Sequence, residues 1–432
     1  MLLSAIACKS KDEWKTRAIY QILTDRFART SDTGYCNYSQ YCGGNYRGII
    51  NHLDYIKGMG FDAIWISPIV ENTDNSYHGY HLTNLYNLNH HFGSEDDLRA
   101  LINACHSKDI WVMVDVVANH VGPVGTDFGR ITPFNSADHY HDWCEINNWE
   151  NQGEVEYCRL CGLPDLKQEN DWVTQKLLEW IHDIVQKYNL DGIRIDTIME
   201  VPKWFWDKFR VSAGVFQIGE AFNHRTWYVA DYQNHLDSVF NYPLYYAIKS
   251  SFCGSFRNLE NYWFNDRNAF PAPEYTASFV ENHDNPRFLH ECNDRSKFTN
   301  AIIFSLLWEG IPVFYYAGGP DPGNREPLWD NYNTRSTLYQ LVAKANYLRK
   351  SYNIWKYGVV QRYADDNFYA FTRGNVLACF VNVQSLERTL TFHGFNNGDK
   401  LCNLLYDGDC VTVSNGQIKI KMGDYPKVYV KQ

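Results

Sequence analysis

Three carboxylates close three separate candidate strands, two of them mostly apolar up to the acid. Asp196 ends Gly192-Ile-Arg-Ile-Asp196, Glu220 ends Phe216-Gln-Ile-Gly-Glu220, and Asp284 ends Ala277-Ser-Phe-Val-Glu-Asn-His-Asp284. A run that is apolar along its length and charged only at its end reads as a buried parallel strand whose last residues emerge into a site. Cleavage of a glycosidic bond needs one carboxylate as nucleophile and one protonated carboxyl as acid, close together when configuration is retained. Arg194 lies two residues before Asp196 and points to the same side of the strand, giving a nucleophile a cationic partner. Glu220, at the end of an apolar strand, suits the raised pKa of a proton donor. Asp284 would stabilise the charged reaction centre, and His283 could bind a sugar hydroxyl. Alone, Arg194–Asp196 reads first as a structural ion pair at a strand end. Three carboxylate ends with adjoining imidazoles favour chemistry.

These ends must be carried by a repeating scaffold. Arg17–Phe27, Ala63–Ser67, Ile110–Val117, Gly192–Asp196, Phe216–Glu220, Asp237–Phe240, Ala277–Asp284 and Ile311–Ala317 read as eight strands. Helical periodicity over Ile49–Met59, Asp96–Lys108, Val173–Tyr188 and Ser336–Lys350 alternates with them. Alternation of this kind predicts an α/β fold, a (β/α)8 TIM barrel over 1–120 and 169–350. From Val121 to Gln168 the pattern stops, and Gly, Pro, Asn, Asp, Trp and cysteine predominate. So long an irregular stretch after strand three is functional or a small inserted domain over 121–168. Beyond Ser351 short alternating strands with Asn397-Gly398, Asp407-Gly408 and Asn415-Gly416 turns predict a C-terminal antiparallel β-sandwich over 351–432.

Composition narrows the partners. The chain has 432 residues and a formal charge of −10, which argues against nucleic acid or an anionic membrane. No apolar run reaches the roughly 18 residues of a spanning helix. Twelve cysteines suggest an oxidising compartment, and Asn37-Tyr38-Ser39 is a glycosylation sequon. Cys158-Arg-Leu-Cys161 has no second cysteine pair to complete a zinc site. Met1–Ala7 is apolar and ends like a signal cleavage site, as the stub of a longer signal would.

The motifs also resemble a known family. Asp115-Val-Val-Ala-Asn-His120, Gly192-Ile-Arg-Ile-Asp196, Gly219-Glu220 and Phe279-Val-Glu-Asn-His-Asp284 stand in the order of the four motifs of the α-amylase family of glycoside hydrolases. Leu23-Thr-Asp-Arg-Phe-Ala28, Tyr41-Cys-Gly-Gly44 and Asn282–Arg287 extend the likeness to the secreted fungal members and their cell-wall homologues. The resemblance implies Asp196 as nucleophile, Glu220 as general acid/base and Asp284 as transition-state stabiliser. It implies Tyr80 stacking on the sugar at the point of cleavage, His78, His120, Arg194 and His283 around it, and Asp321 and Arg325 on the next sugars. It implies Ca2+ held by Asn119, Glu156, Asp165 and the backbone carbonyl of Glu200, an all-oxygen set that suits calcium on its own chemistry. It further implies the disulfides Cys36–Cys42 and Cys144–Cys158.

Three positions depart from the family pattern. Met199-Glu200 replaces a Lys-His pair that touches the sugar on the leaving-group side, His81 replaces a Trp, and a Gly-Gln-Glu stretch after strand eight is missing. The expected activity is retaining, endo-acting hydrolysis of α-1,4-glucosidic bonds in starch- or glycogen-like glucans by a secreted or wall-associated monomer. The alternatives are a glucanotransferase acting on cell-wall α-glucan, in which an acceptor sugar replaces water, and a glucan-binding wall protein with little turnover.

Overall fold

The computed structural model describes residues 9–31, 35–316, 324–329 and 331–432. Eight parallel strands form its centre: β1 (Ile19–Ile22), β2 (Ala63–Ile66), β3 (Trp111–Val116), β4 (Gly192–Ile195), β5 (Phe216–Gly219), β6 (Ser238–Val239), β7 (Ala277–Ser278) and β8 (Ile311–Tyr315). They are hydrogen-bonded in the order β6-β5-β4-β3-β2-β1-β8-β7. A single parallel bridge, Phe240 to Ala277, joins the two remaining edges and closes the barrel.

The two-residue period of a strand sorts the side chains. Ile193 and Ile195 of β4 face the outer helices, whereas Arg194 faces inward. The lower barrel is filled by Trp14, Ile19, Ala63, Trp111, Met113, Phe216 and Ile311, an apolar layer separate from the cluster under the helices. Trp14 plugs this end, its indole donating to the carbonyl of Asp191 at 3.2 Å. A Cβ on Gly192 would stand 2.7 Å from the Trp14 ring, so this strand must begin with glycine.

Helices Glu95–Ser107, Asp171–Tyr188, Lys203–Ala213, Tyr242–Cys253, Arg295–Leu307 and Thr337–Ser351 cover the barrel. None among the described residues is long and apolar enough to cross a membrane. The expected strands are present but shorter. Thr24–Phe27 is a helical turn, and the seventh strand is only Ala277–Ser278. Its remainder turns because the Asn282 side chain accepts from the backbone of Asp284 and Asn285 at 3.0 and 2.9 Å. The helix expected over Ile49–Met59 divides at His52 into Tyr46–Asn51 and Leu53–Gly58.

A hairpin, Val70–Asn72 against Leu82–Leu88, rises from the end of β2 and presents Tyr77–His81 at its tip. The 121–168 segment is mostly irregular, with one short α-helix at Gln152–Tyr157 and 3-10 turns at Phe128–Arg130, Ala137–His139 and Leu160–Gly162. Beyond the barrel, six antiparallel strands form one sheet and Leu386–Leu390 pairs with Ile418–Met422 in a second. The three Gly turns there take the left-handed φ their sequences require, 86° at Gly398, 78° at Gly408 and 71° at Gly416.

Cys36–Cys42 and Cys144–Cys158 are joined, as are Cys253–Cys292 and Cys402–Cys410. Cys105, Cys161 and Cys379 are free thiols.

Candidate active site

The upper layer of the barrel is polar, and one guanidinium organises it. Asp115 of β3 pairs in register with Arg194 of β4. Arg194 is completely buried and donates to both Asp115 oxygens at 3.0 and 3.1 Å and to Asp196 Oδ1 at 2.7 Å. Its second terminal nitrogen is paired with Glu220 Oε2. Three carboxyl groups from three strands therefore share one positive charge.

Their proton affinities diverge for physical reasons. Burial pushes the Glu220 carboxyl up to about 8, against the pull of Arg194 and with the charges of Asp284 and Asp196 adding to the rise. Burial also works to raise Asp284, but its contact with His283 and the charges of Arg325 and Arg194 hold it below the ordinary carboxylate value. Arg325 donates to Asp284 Oδ1 at 2.9 Å and to the backbone carbonyl of His283 at 2.7 Å. The Tyr242 hydroxyl donates to Glu220 Oε1 at 2.8 Å and accepts from Asn282 at 2.9 Å. Burial pushes Asp115 up to about 7 in spite of Arg194.

Proton positions beneath the site follow from its partners. The Tyr80 hydroxyl donates to Asp115 Oδ2 at 2.8 Å, so its oxygen accepts from His283 Nε2 at 2.6 Å. His283 Nδ1 then accepts from the Gln21 amide at 2.7 Å. That is a neutral imidazole, in keeping with the burial that pushes His283 down to about 4. Trp65 closes the chain by donating to Asp115 Oδ2 at 3.1 Å.

A cleft of about 720 Å3 opens over these groups, lined by His78, Tyr80, His120, Asp196, Glu220, Asp284 and Arg325 among others. The Tyr80 ring lies nearly parallel to those of His78 and His283, with centroids 5.6 and 5.4 Å away. His78, pushed down to about 2 by burial, accepts from the Tyr80 amide at 3.1 Å. Asp321 lies outside the described residues. At the departures from the family pattern, His81 bonds Ser76 Oγ at 2.5 Å, Met199 is buried, and Glu200 lines the cleft with Oε2 unpaired among the described residues. Burial raises the Glu200 carboxyl well above its ordinary value, with Asp196 and Glu220 adding to it.

Three of the four expected metal-ligating groups converge. One terminal atom of the Asn119 amide stands 2.9 Å from Asp165 Oδ1 and 3.0 Å from the Glu200 carbonyl, while the other faces His120 Nδ1 at 3.2 Å. If nitrogen faced the two oxygens, His120 would have to donate from both ring atoms, because Nε2 already donates to the Tyr80 carbonyl at 3.2 Å. Burial lowers His120 and disfavours that imidazolium. The neutral ring accepts from the amide nitrogen, which turns the Asn119 oxygen toward Asp165 and Glu200. Three oxygens that face one another are satisfied by a cation. Glu156 instead accepts from Gln152 at 2.7 Å, and Gln152 also donates to the Met199 carbonyl at 3.1 Å. No cluster of three His, Cys, Asp or Glu side chains suited to a metal occurs among the described residues.

Sequence reasoning did not single out Gln21, Trp65 or Tyr242, and it quoted Asp115 only as part of a motif. Asp115 had a signal, a carboxylate inside the apolar run Ile110–Val117. Tyr242 had none, since its hydroxyl reaches Glu220 only once the sixth strand is in its position.

Comparison with known proteins followed the same line. Residues 21–326 match the family model for the α-amylase catalytic domain. The chain is 40% identical over 458 aligned residues to an α-amylase of Saccharomycopsis fibuligera, covering 97% of this chain and 92% of that one. It is 37% identical to α-amylase 1 of Schwanniomyces occidentalis, covering 97% and 90%. Its fold superposes on the structure of an α-amylase from Malbranchea cinnamomea with a TM-score of 0.93, at 37% identity and 98% coverage of both chains.

Proposed function

The chain belongs to the α-amylase family and is a glycoside hydrolase, and from that premise we propose that it cleaves internal α-1,4 bonds of glucans with retention of configuration. The observation that carries this reading is the sharing of Arg194 by Asp196 and Glu220. One guanidinium shared by two of its nitrogens draws the two carboxyl groups together, in the direction of the roughly 5 Å spacing that covalent displacement uses rather than the wider gap that admits a water.

Glu220, protonated at neutral pH, gives its proton to the glycosidic oxygen as Asp196 attacks the anomeric carbon. The C–O bond breaks, the leaving chain departs with the proton, and a glycosyl ester forms on Asp196. Glu220, now a carboxylate, takes a proton from water, which attacks the same carbon and frees the sugar and Asp196. Asp284, kept ionised by Arg325, faces the positive charge that develops in both steps. His120, His283 and Tyr80 line the cleaved subsite, and Arg325 holds Asp284 from the non-reducing side.

Asn119, Asp165 and the Glu200 carbonyl, with Glu156 nearby, would hold Ca2+. The ion would tie the 121–168 segment to the loop after β4. The proton inventory of His120 supports this set. Four disulfides support passage through the secretory route.

Incubation with maltoheptaose followed by chromatography tests the activity. Shorter sugars alone, released first in the α-configuration, are expected. Products longer than the substrate would make the protein a glucanotransferase. Chelation tests the ion: the melting temperature is expected to fall with EDTA and return with Ca2+, and an unchanged value removes calcium from the fold.

A further inference from the structure

Beside the cleft lies a second groove of about 430 Å3 that the chemistry above does not use. Trp227 stands on its wall with 66% of its surface exposed, the most exposed tryptophan among the described residues. Opposite, Asn258, Asn261 and Asn265 line the groove, and their side-chain amides make no hydrogen bond among the described residues. The groove is preformed. Thr226 donates to Asp266 at 2.8 Å, fastening the Trp227 segment to a π-helical turn at Tyr262–Asp266, a type of distortion found frequently at functional sites.

The groove is continuous with the cleft. His224 and Arg225 line both. Tyr246 faces the cleft and its neighbour Ala247 faces the groove, on one helix. Arg225 is held in position by Glu150, with 2.6 Å between Nη2 and Oε1. His224 follows Glu220 by four residues, so the shared rim belongs to the loop that carries the acid.

An exposed indole facing unengaged amides is the chemistry that recognises a sugar chain: apolar ring faces stack on the aromatic, and hydroxyls bond the amides. We propose that the Trp227 groove is a second holding site for an α-glucan chain, receiving the part of a polymer that runs past the cleft. This inference rests on the glucan-cleaving reading of the cleft.

The test uses the full chain carrying Glu220→Gln, so that sugars bind without being cut, and titration calorimetry with maltotriose and with a long linear amylose fraction. Trp227→Ala is expected to weaken amylose about fivefold and maltotriose by less than about twofold, the loss of one stacked ring. Asn261→Ala with Asn265→Ala should shift amylose in the same direction by less. Unchanged melting temperatures show that both variants fold. Equal weakening of the two sugars, or amylose binding unchanged in both variants, overturns the holding site while leaving the cleft reading intact. A folded Glu220→Gln protein that binds neither sugar overturns the cleft reading and the groove with it.

Discussion

At neutral pH Glu220 carries its proton, because burial in the upper barrel outweighs the attraction of Arg194. A raised carboxyl stays protonated below its folded value and ionises as pH passes through it. Glycosylation needs the proton, so kcat/KM is expected to fall as pH rises through about 8. Tyr242 donates to Glu220 and holds that value down, so Tyr242→Phe should move the alkaline limb to higher pH; a limb that does not move would detach Tyr242 from the acid. Glu220→Gln is expected to lower kcat about a thousandfold while sugar affinity persists, measured by steady-state rates and calorimetry. At this scale the sequence was most legible. Asp196, Glu220 and Arg194 each end or precede the end of an apolar run that is a strand, whereas Asp284 stands six residues past the end of β7. The hydrogen bonds among Gln21, Tyr80, His283 and Asp115 were not legible, since they join four elements whose relative rotation only the closed barrel sets.

The elements differ in how far they could be read. Runs of Ile, Val and Trp marked β2 and β3 well, because burial on both faces leaves Asp115 as their one charged interruption. The seventh strand was over-read: Ala277–Val280 begins like a strand, but the Asn282 side chain competes for backbone amides and bends the chain. The Val70–Asn72 and Leu82–Leu88 hairpin was missed because its outer strand is half-exposed and polar, its pairing interrupted by register shifts. The 121–168 segment has almost no repetitive structure to stabilise it. Its rigidity draws on Cys144–Cys158, which closes a loop of 14 residues, and on His141, which bonds Asp165 at 2.6 Å and Glu169 at 2.8 Å. Replacing both cysteines with serine is expected to cost about 3 kcal/mol and lower the melting temperature. An unaltered melt would mean that the hydrogen bonds alone hold the segment.

Across the whole molecule, the barrel and the C-terminal sheets melt as one unit in our expectation. Phe304 and Trp308 of the barrel pack into Phe371 and Phe380 of the sheet, with centroids 5.3 Å apart for Phe304–Phe380 and for Trp308–Phe371. Arg373 crosses the same junction, buried, and donates to the carbonyls of Trp308 at 2.6 Å and Leu307 at 3.2 Å. A charge removed from those carbonyls leaves them unsatisfied, so Arg373→Ala should cost about 3 kcal/mol. Calorimetry should record one transition for the intact chain. Two separated transitions would mean that the aromatic junction does not couple the parts. The glycine turns announced the final sheets in the sequence, but nothing there announced this junction, because its residues look like ordinary core on either side.

The closure of the barrel is uneven. β6 and β7 have two residues each and share one backbone bridge, from Phe240 to Ala277, whereas β1 and β2 align over four residue pairs. Asp284 hangs from the far side of that seam, and Asp196 and Glu220 from the near side. Amide protons along the seam should therefore exchange with solvent before those of β2 or β3 do. Each such opening draws the stabilising carboxylate away from the nucleophile and acid. On warming, the enzyme should fall silent by unfastening along one edge while most of its backbone is still folded.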